Sequence, residues 1–332
     1  MKILLTGSGG FIGRNLKTAL EEQFQGEEIV VLKRKEKNGS LARGESTGES
    51  LVDYSDPQTL LDCKNCWNTD MIIHVAGGTK LPFFSENYYA NVVPTKNLLE
   101  ALKQKSPNLQ RFVLLSSHAA AGPSRYKKRE DEPNRPVNFY GLSKLIAEWY
   151  AMSYASTMPV TILRPSSVYG PGDVDFLNIY KMAAKAIHGK SLNVYAGNKE
   201  RYTSIIYIDD LVKGIVTAML SPKTTSQCFF VCNKNPEKWK TIHETIFETM
   251  GVEPISFNMP SGIIKPISYV GNVMAFLTGE PSLFSRDKFE LSYYNWVASN
   301  ELLERATGFT PKVSLEDGIR LTYESYKSTG QL

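Results

Sequence analysis

Apolar positions in the first half of the chain recur in two alternating patterns. Short apolar runs fall at Ile3 to Leu5, Glu28 to Leu32, Leu51 to Asp53, Met71 to Ala76, Arg111 to Leu115 and Pro159 to Leu163. Runs this short suit buried strands of a parallel sheet, covered on both faces. Between them, apolar residues return every three or four positions at about 11–24, 91–105 and 140–155, which predicts helices. Asp56-Pro57 starts a further helix, with aspartate as cap and proline in the first turn. Strands and helices alternating at this pace specify an α/β fold built on a doubly wound parallel sheet.

After Arg164 the rhythm loosens. A loop at 165–175 leads to a helix near 176–188, a strand at 204–208, a helix at 209–220 capped by Asp209, and a strand at 227–232. The rest, with several prolines and short helices, predicts a smaller α-rich C-terminal lobe over the strand ends, where open α/β sheets bind ligands. The division expected is a first domain at 1–165, with 204–232 contributing back to it, and a second lobe from 166–203 and 233–332. Lys33 to Ser50 is polar and glycine-rich and reads as a loop beside the end of strand two.

Composition narrows the class. A chain of 332 residues with 42% apolar content buries a sizeable core. No segment reaches ~18 uninterrupted apolar residues, so no membrane span is expected. The chain enters a strand at once, without a signal-peptide pattern, so the cytoplasm is the expected compartment. The net charge of +4 is small, and Lys127-Lys128-Arg129 is followed at once by Glu130 and Asp131. That is a solvated loop, and no nucleic-acid partner is expected. The four cysteines form two close pairs, Cys63/Cys66 and Cys228/Cys232. A four-thiolate zinc site is the sharper reading, but reduced core thiols account for them, and no metal is expected.

Two stretches carry candidate chemistry. In Met1 to Arg14, an apolar run stops at Thr6 and gives way to glycines at 7, 9, 10 and 13, then to a helix. Strand, glycine turn and helix N-terminus make a phosphate-binding device, since glycine lets the backbone approach a pyrophosphate and the helix start offers free N–H groups. The spacing Gly7-x-x-Gly10-x-x-Gly13 departs from the usual fingerprint, with Ile12 where a last glycine is common. The second stretch is Tyr140-Gly-Leu-Ser-Lys144, which puts a phenol and an ammonium on one helix face. A lysine charge favours the phenolate, as a general acid or base near neutral pH requires. Ser116-Ser117 supplies hydroxyls at the end of strand five.

Taken in order, Thr6-Gly7-x-x-Gly10-Phe11-Ile12-Gly13, His74-Val75-Ala76, Ser117, Tyr140-x-x-x-Lys144 and Leu163-Arg164-Pro165-x-x-Val168-Tyr169-Gly170-Pro171 resemble the extended short-chain dehydrogenase/reductase superfamily. That superfamily includes sugar-nucleotide epimerases and dehydratases, dihydroflavonol reductases and 3β-hydroxysteroid dehydrogenases. Asp53, Asn91 in NVVPTKNLLEA, Ile206 to Asp210 and Gly308 to Thr322 extend the resemblance over nearly the whole chain. It implies a Rossmann-type sheet and an NAD(P)-dependent enzyme. Tyr140 is then the proton donor or acceptor, Lys144 binds the nicotinamide ribose, and Ser117 holds the substrate oxygen. Gly7, Gly10, Phe11, Ile12 and Gly13 cradle the pyrophosphate, Asp53 and Tyr54 border the adenine, and Ala76, Asn91, Pro165 and Val168 line the cofactor cleft. His118 is a second acid/base candidate, with a local structural role the preferred reading. The resemblance also suggests a homodimer through the Asn91 and Tyr140 helices.

NAD-preferring members carry an acid at the end of strand two, which takes the ribose hydroxyls. This chain reads Val31-Leu32-Lys33-Arg34, and an arginine fork grips a 2′-phosphate, so NADP(H) is expected, with NAD the alternative. Sugar-nucleotide members usually have asparagine and arginine where this chain has Ser167 and Thr203, and Arg201 stands two residues out of register. The Arg164-Pro165-Ser-Ser-Val form is closer to the reductase and hydroxysteroid branches. The expected reaction interconverts a secondary alcohol and a ketone on a small or moderately apolar molecule. A nucleotide-sugar epimerase, dehydratase or 4-reductase is the alternative, and a redox-sensing binding protein a third. Residues 260–277 are apolar enough for core packing, the wall of a substrate pocket or contact with a membrane surface.

Overall fold

The computed structural model describes residues 1–35, 49–79, 81–259 and 292–332, with isolated positions between 262 and 271. In chain order the strands are β1 (Lys2–Thr6), β2 (Glu28–Arg34), β3 (Glu49–Val52), β4 (Met71–His74), β5 (Arg111–Leu115), β6 (Ser124–Lys128), β7 (Val160–Pro165), β8 (Ser167–Tyr169), β9 (Lys190–Ala196), β10 (Tyr202–Thr203), β11 (Ile205–Tyr207), β12 (Gln227–Val231), β13 (Glu237–Lys238), β14 (Glu253–Met259) and β15 (Trp296–Ala298). The helices are α1 (Phe11–Gln23), α2 (Pro57–Leu61), α3 (Phe84–Asn87), α4 (Val93–Lys105), α5 (His118–Ala121), α6 (Phe139–Ser153), α7 (Leu177–Ala183), α8 (Ile208–Leu220), α9 (Trp239–Thr249), α10 (Glu301–Thr307) and α11 (Leu315–Ser328).

Seven strands form one parallel sheet in the order β3-β2-β1-β4-β5-β7-β12. Successive residues of β1 face opposite layers. Ile3 and Leu5 pack with Leu16 and Leu20 of α1 and with Leu211 and Ile215 of α8, while Leu4 packs with Leu98, Leu99 and Leu102 of α4. Both faces are therefore dry, which is why these strands are continuously apolar instead of alternating. The strand order reverses beside β1, so the glycine turn that follows β1 opens at the switch point.

Outside the seven-stranded sheet the chain carries short strands as well as helices, where an α-rich C-terminal part was expected. One small sheet runs β13-β10-β15-β6 and another pairs β14 with β9. Strands such as β6, Ser-Arg-Tyr-Lys-Lys, lack the apolar run that would have marked them. Helix α7 ends at Ala183, and α8 begins at Ile208 without a side-chain cap. Asp209 is thus not the cap. Its neighbour Asp210 instead accepts the backbone N–H groups of Lys312 and Val313, tying α8 to the chain before α11. The cysteine expectation also fails in part. Cys63 and Cys66 form a disulfide, their Cα atoms 5.7 Å apart as that bond requires, whereas Cys228 and Cys232 are free. Among the described residues no cluster suits a metal, and no helix is long and apolar enough to cross a membrane. Most of 260–277 lies outside the described residues, so its three readings stand as expectations.

Candidate active site

The glycine turn is built around two close approaches. Gly7 has φ +77°, and a Cβ there would lie 2.5 Å from the Ala76 nitrogen at the end of β4. A Cβ at Gly13 would collide with the Gly7 carbonyl. The turn therefore folds tightly onto both β4 and α1. Gly10 N donates to Gly7 O at 3.1 Å, closing the turn, and Gly10 O accepts Arg14 N at 2.9 Å as the N-cap of α1, with no side chain bonded to the helix start. The first turn of a 13-residue helix thus presents its N–H groups outward beside Phe11 and Ile12. These residues fit a pyrophosphate.

Beside the turn, a buried relay joins β1 to α6. Ala76 N donates to Thr6 Oγ1 at 3.1 Å, and Thr6 Oγ1 lies 2.8 Å from His74 Nδ1. His74 Nε2 reaches Thr95 Oγ1 at 3.1 Å, and Thr95 donates to Asn91 O at 2.7 Å. Burial and the nearby Lys144 push His74 down to about 3, so the ring is a neutral link. Asn91 sits in a π-helical turn, Tyr88–Val92. Its amide exchanges bonds with Gly78 N and O (3.1 and 3.0 Å) and donates to Ser143 Oγ on α6 at 3.0 Å. Both ends of the amide are thus engaged, and Asn91 holds the cleft wall in place.

The three catalytic candidates converge at the ends of β5 and α6. Ser117 caps α5, its Oγ accepting Ala119 N at 3.1 Å. Gly141 has no room for a Cβ against the Ala119 carbonyl, so α6 begins in contact with α5 and carries Tyr140 to Ser117. Burial raises the Tyr140 phenol, and the Ser117 hydrogen bond lowers it. Lys144 is buried, with Nζ donating to Leu115 O at 2.6 Å and lying 3.8 Å from where a Gly77 Cβ would stand. Burial pushes it down to about 8, opposed by Glu148. The lysine thus stands between the Ala76-Gly77 wall and the serine strand.

The remaining predicted residues are scattered more widely around the cleft. Arg34 is exposed at the end of β2, and its charge, with that of Lys35, reaches Asp53. Asp53 is held below its usual range chiefly by Ser55, whose Oγ donates to Oδ1 at 2.6 Å. Lys33 is half-buried on the same strand. Tyr54 is buried, and its hydroxyl donates to Leu32 O at 2.7 Å, so it braces the end of β2 from below. Pro165 ends β7, and Val168 lies half-buried on β8. His118 is buried between Phe230 and Trp296, ring centroids 5.2 and 5.5 Å away. Burial and the nearby Lys128 and Arg164 push it down to about 3, which suits packing and not proton transfer. Sequence reasoning overlooked Glu148, whose carboxylate joins Arg164 and Ser116. Its position four residues after Lys144 was the available signal.

The model of the NAD dependent epimerase/dehydratase family matches residues 3–231. This chain belongs to that family. It is accordingly an enzyme of the extended short-chain dehydrogenase type, working with a nicotinamide cofactor. A probable UDP-glucuronate 4-epimerase from Rhizobium meliloti is 25% identical, over 98% of this chain and 97% of the relative. A ceramide reductase from Caulobacter vibrioides is also 25% identical, over 99% and 96%. Among solved structures, MoeE5 in complex with UDP-glucuronic acid and NAD has the same fold. The TM-score is 0.75 at 20% identity, covering 99% of this chain and all of that one.

Proposed function

We propose that the chain is an NADP(H)-linked oxidoreductase that interconverts a secondary alcohol and a ketone on a small or moderately apolar molecule. The observation that carries this reading is the convergence of Ser117, Tyr140 and Lys144 beside the glycine turn. Ser117 and Tyr140 hold the substrate oxygen between them, and Tyr140 gives or takes its proton. Lys144 supplies the charge that favours the phenolate and binds the nicotinamide ribose. The bound nicotinamide supplies or accepts hydride at the adjacent carbon. Gly7, Gly10, Phe11, Ile12 and Gly13 take the pyrophosphate. Ala76, Pro165 and Val168 line the cleft, with Asn91 fixing its wall.

Lys33 and Arg34 at the end of β2 support NADP(H). An arginine bond to phosphate is worth about 1.5–3 kcal/mol. Arg34→Ala should therefore weaken NADPH binding roughly tenfold to a hundredfold and leave NADH unchanged. Equal losses for both cofactors would count against the assignment.

The second reading, a nucleotide-sugar epimerase, dehydratase or 4-reductase, draws on the relative named UDP-glucuronate 4-epimerase. Against it, Thr203 bonds Ser204 O, and Arg201 is buried with its guanidinium 4.2 Å over Trp239. Thermal shift with UDP-, dTDP- and GDP-sugars, run beside NADPH oxidation with apolar ketones, separates the two. Copurified NAD(H) with stabilisation by a sugar nucleotide would overturn the first reading. Exposed Trp149 on α6 and Tyr89 beside α4 support pairing of two copies through those helices.

A further inference from the structure

Three consecutive residues at the end of β5 are each gripped by α6. Leu115 O accepts Lys144 Nζ at 2.6 Å, Ser116 Oγ donates to Glu148 Oε1 at 2.5 Å, and Ser117 faces Tyr140. Lys144 and Glu148 are one turn apart on the same helix face. A carboxylate there is the natural partner for the lysine ammonium, yet Glu148 is turned the other way. Arg164 of β7 takes both its oxygens, Nε to Oε1 at 2.9 Å and Nη2 to Oε2 at 2.6 Å. Glu148, Arg164 and Lys144 are all at least 95% buried, so solvent screens these charges much less than at the surface.

We propose that Arg164 is a positioning residue for the catalytic lysine. By clamping both oxygens of Glu148 it keeps that carboxylate from capturing the Lys144 ammonium, which stays on Leu115 O, facing the cleft. The Ser116 bond to the same carboxylate ties the serine strand into the clamp. The inference rests on the reading of Lys144 and Tyr140 given above, but its geometry stands without it. Other groups near the clamp leave the balance intact. His74 of β4 is neutral, and Cys228 of β12 is held as a thiol by burial. Glu130, from the segment after β6, adds to the field at Arg164 while accepting Phe230 N at 2.8 Å. Tyr140 stands one turn before Lys144 on α6.

The test reads the lysine directly and needs no substrate. In protein labelled with 15Nζ-lysine, the Lys144 signal is assigned by its loss in Lys144→Met and titrated by NMR. Arg164→Met should raise its pKa by at least one unit, a tenfold gain in proton affinity, because the freed carboxylate recruits the ammonium. Adding Glu148→Gln to Arg164→Met should return it to the original value or below. A role confined to packing predicts no such return. Should Arg164→Met not fold, Glu148→Gln alone must lower the Lys144 pKa, since it leaves Arg164 as an uncompensated neighbour. An unchanged Lys144 titration in the foldable variant, or a double variant that keeps the upward shift, overturns the proposal. Loss of the catalytic reading would appear separately, as turnover that survives Tyr140→Phe.

Discussion

Gly13→Ala tests the turn at its tightest point. The new methyl would meet backbone on every side, with Gly7 C at 2.7 Å and Ser8 Cα at 2.9 Å besides the Gly7 carbonyl oxygen. Comfortable carbon contacts are about 3.5–4.0 Å, so α1 would have to back away by roughly 1 Å. Overpacking of this kind costs about 1–3 kcal/mol of stability. The same shift withdraws the helix start from the pyrophosphate, an interaction worth up to about 2 kcal/mol in a partly buried site. NADPH affinity should then fall about tenfold or more. Gly9→Ala is the control, because no atom lies within 4 Å of its Cβ and its backbone is not left-handed. It should stay within about 0.5 kcal/mol of the parent. Urea unfolding and NADPH fluorescence titration measure both quantities. Parental stability and affinity in Gly13→Ala, or equal damage in Gly9→Ala, would refute the reasoning.

Two further outcomes follow from buried groups. His74, His118 and His243 are each pushed down to about 3 by burial, against about 6.5 when unfolded. Below pH 6.5 the unfolded chain therefore binds more protons, and stability falls as pH falls toward 3. At pH 5.5 the loss is about 1.4 kcal/mol for each histidine, which urea midpoints at pH 7.5 and 5.5 would reveal. A midpoint that holds or rises on acidification would contradict the buried neutral rings. For the cysteines, thiol titration in guanidinium without reductant should count two groups, Cys228 and Cys232. A count of four would mean that Cys63 and Cys66 are not joined.

Much of the sheet was legible because burial on both faces leaves apolar runs, and β5 was read to the residue. The turn was legible too, since Gly7 and Gly13 have no substitute where backbones approach this closely. Helical spacing placed Tyr140 and Lys144 on one face of a helix, and the structure has that helix, while the roles proposed for them came from the family resemblance. Cross-chain geometry was not legible. Nothing near Glu148 announces that Arg164, 16 residues later, will take its carboxylate, because that pair forms only when β7 docks beside β5. The short strands outside the main sheet were missed because two or three residues, as in β10, β13 and β15, are too few to show a period, and β6 is polar. The Cys63–Cys66 bond was missed because reduced thiols were expected from the inferred compartment, whereas the local turn brings the two residues within bonding distance.

The central claim is that Tyr140 gives or takes the proton at the substrate oxygen. Its most direct test compares wild type with Tyr140→Phe, following nicotinamide absorbance with NADPH and the ketone panel and measuring NADPH binding on the same samples. Turnover should fall about a hundredfold or more with cofactor affinity nearly unchanged. Full turnover by the phenylalanine variant would contradict it.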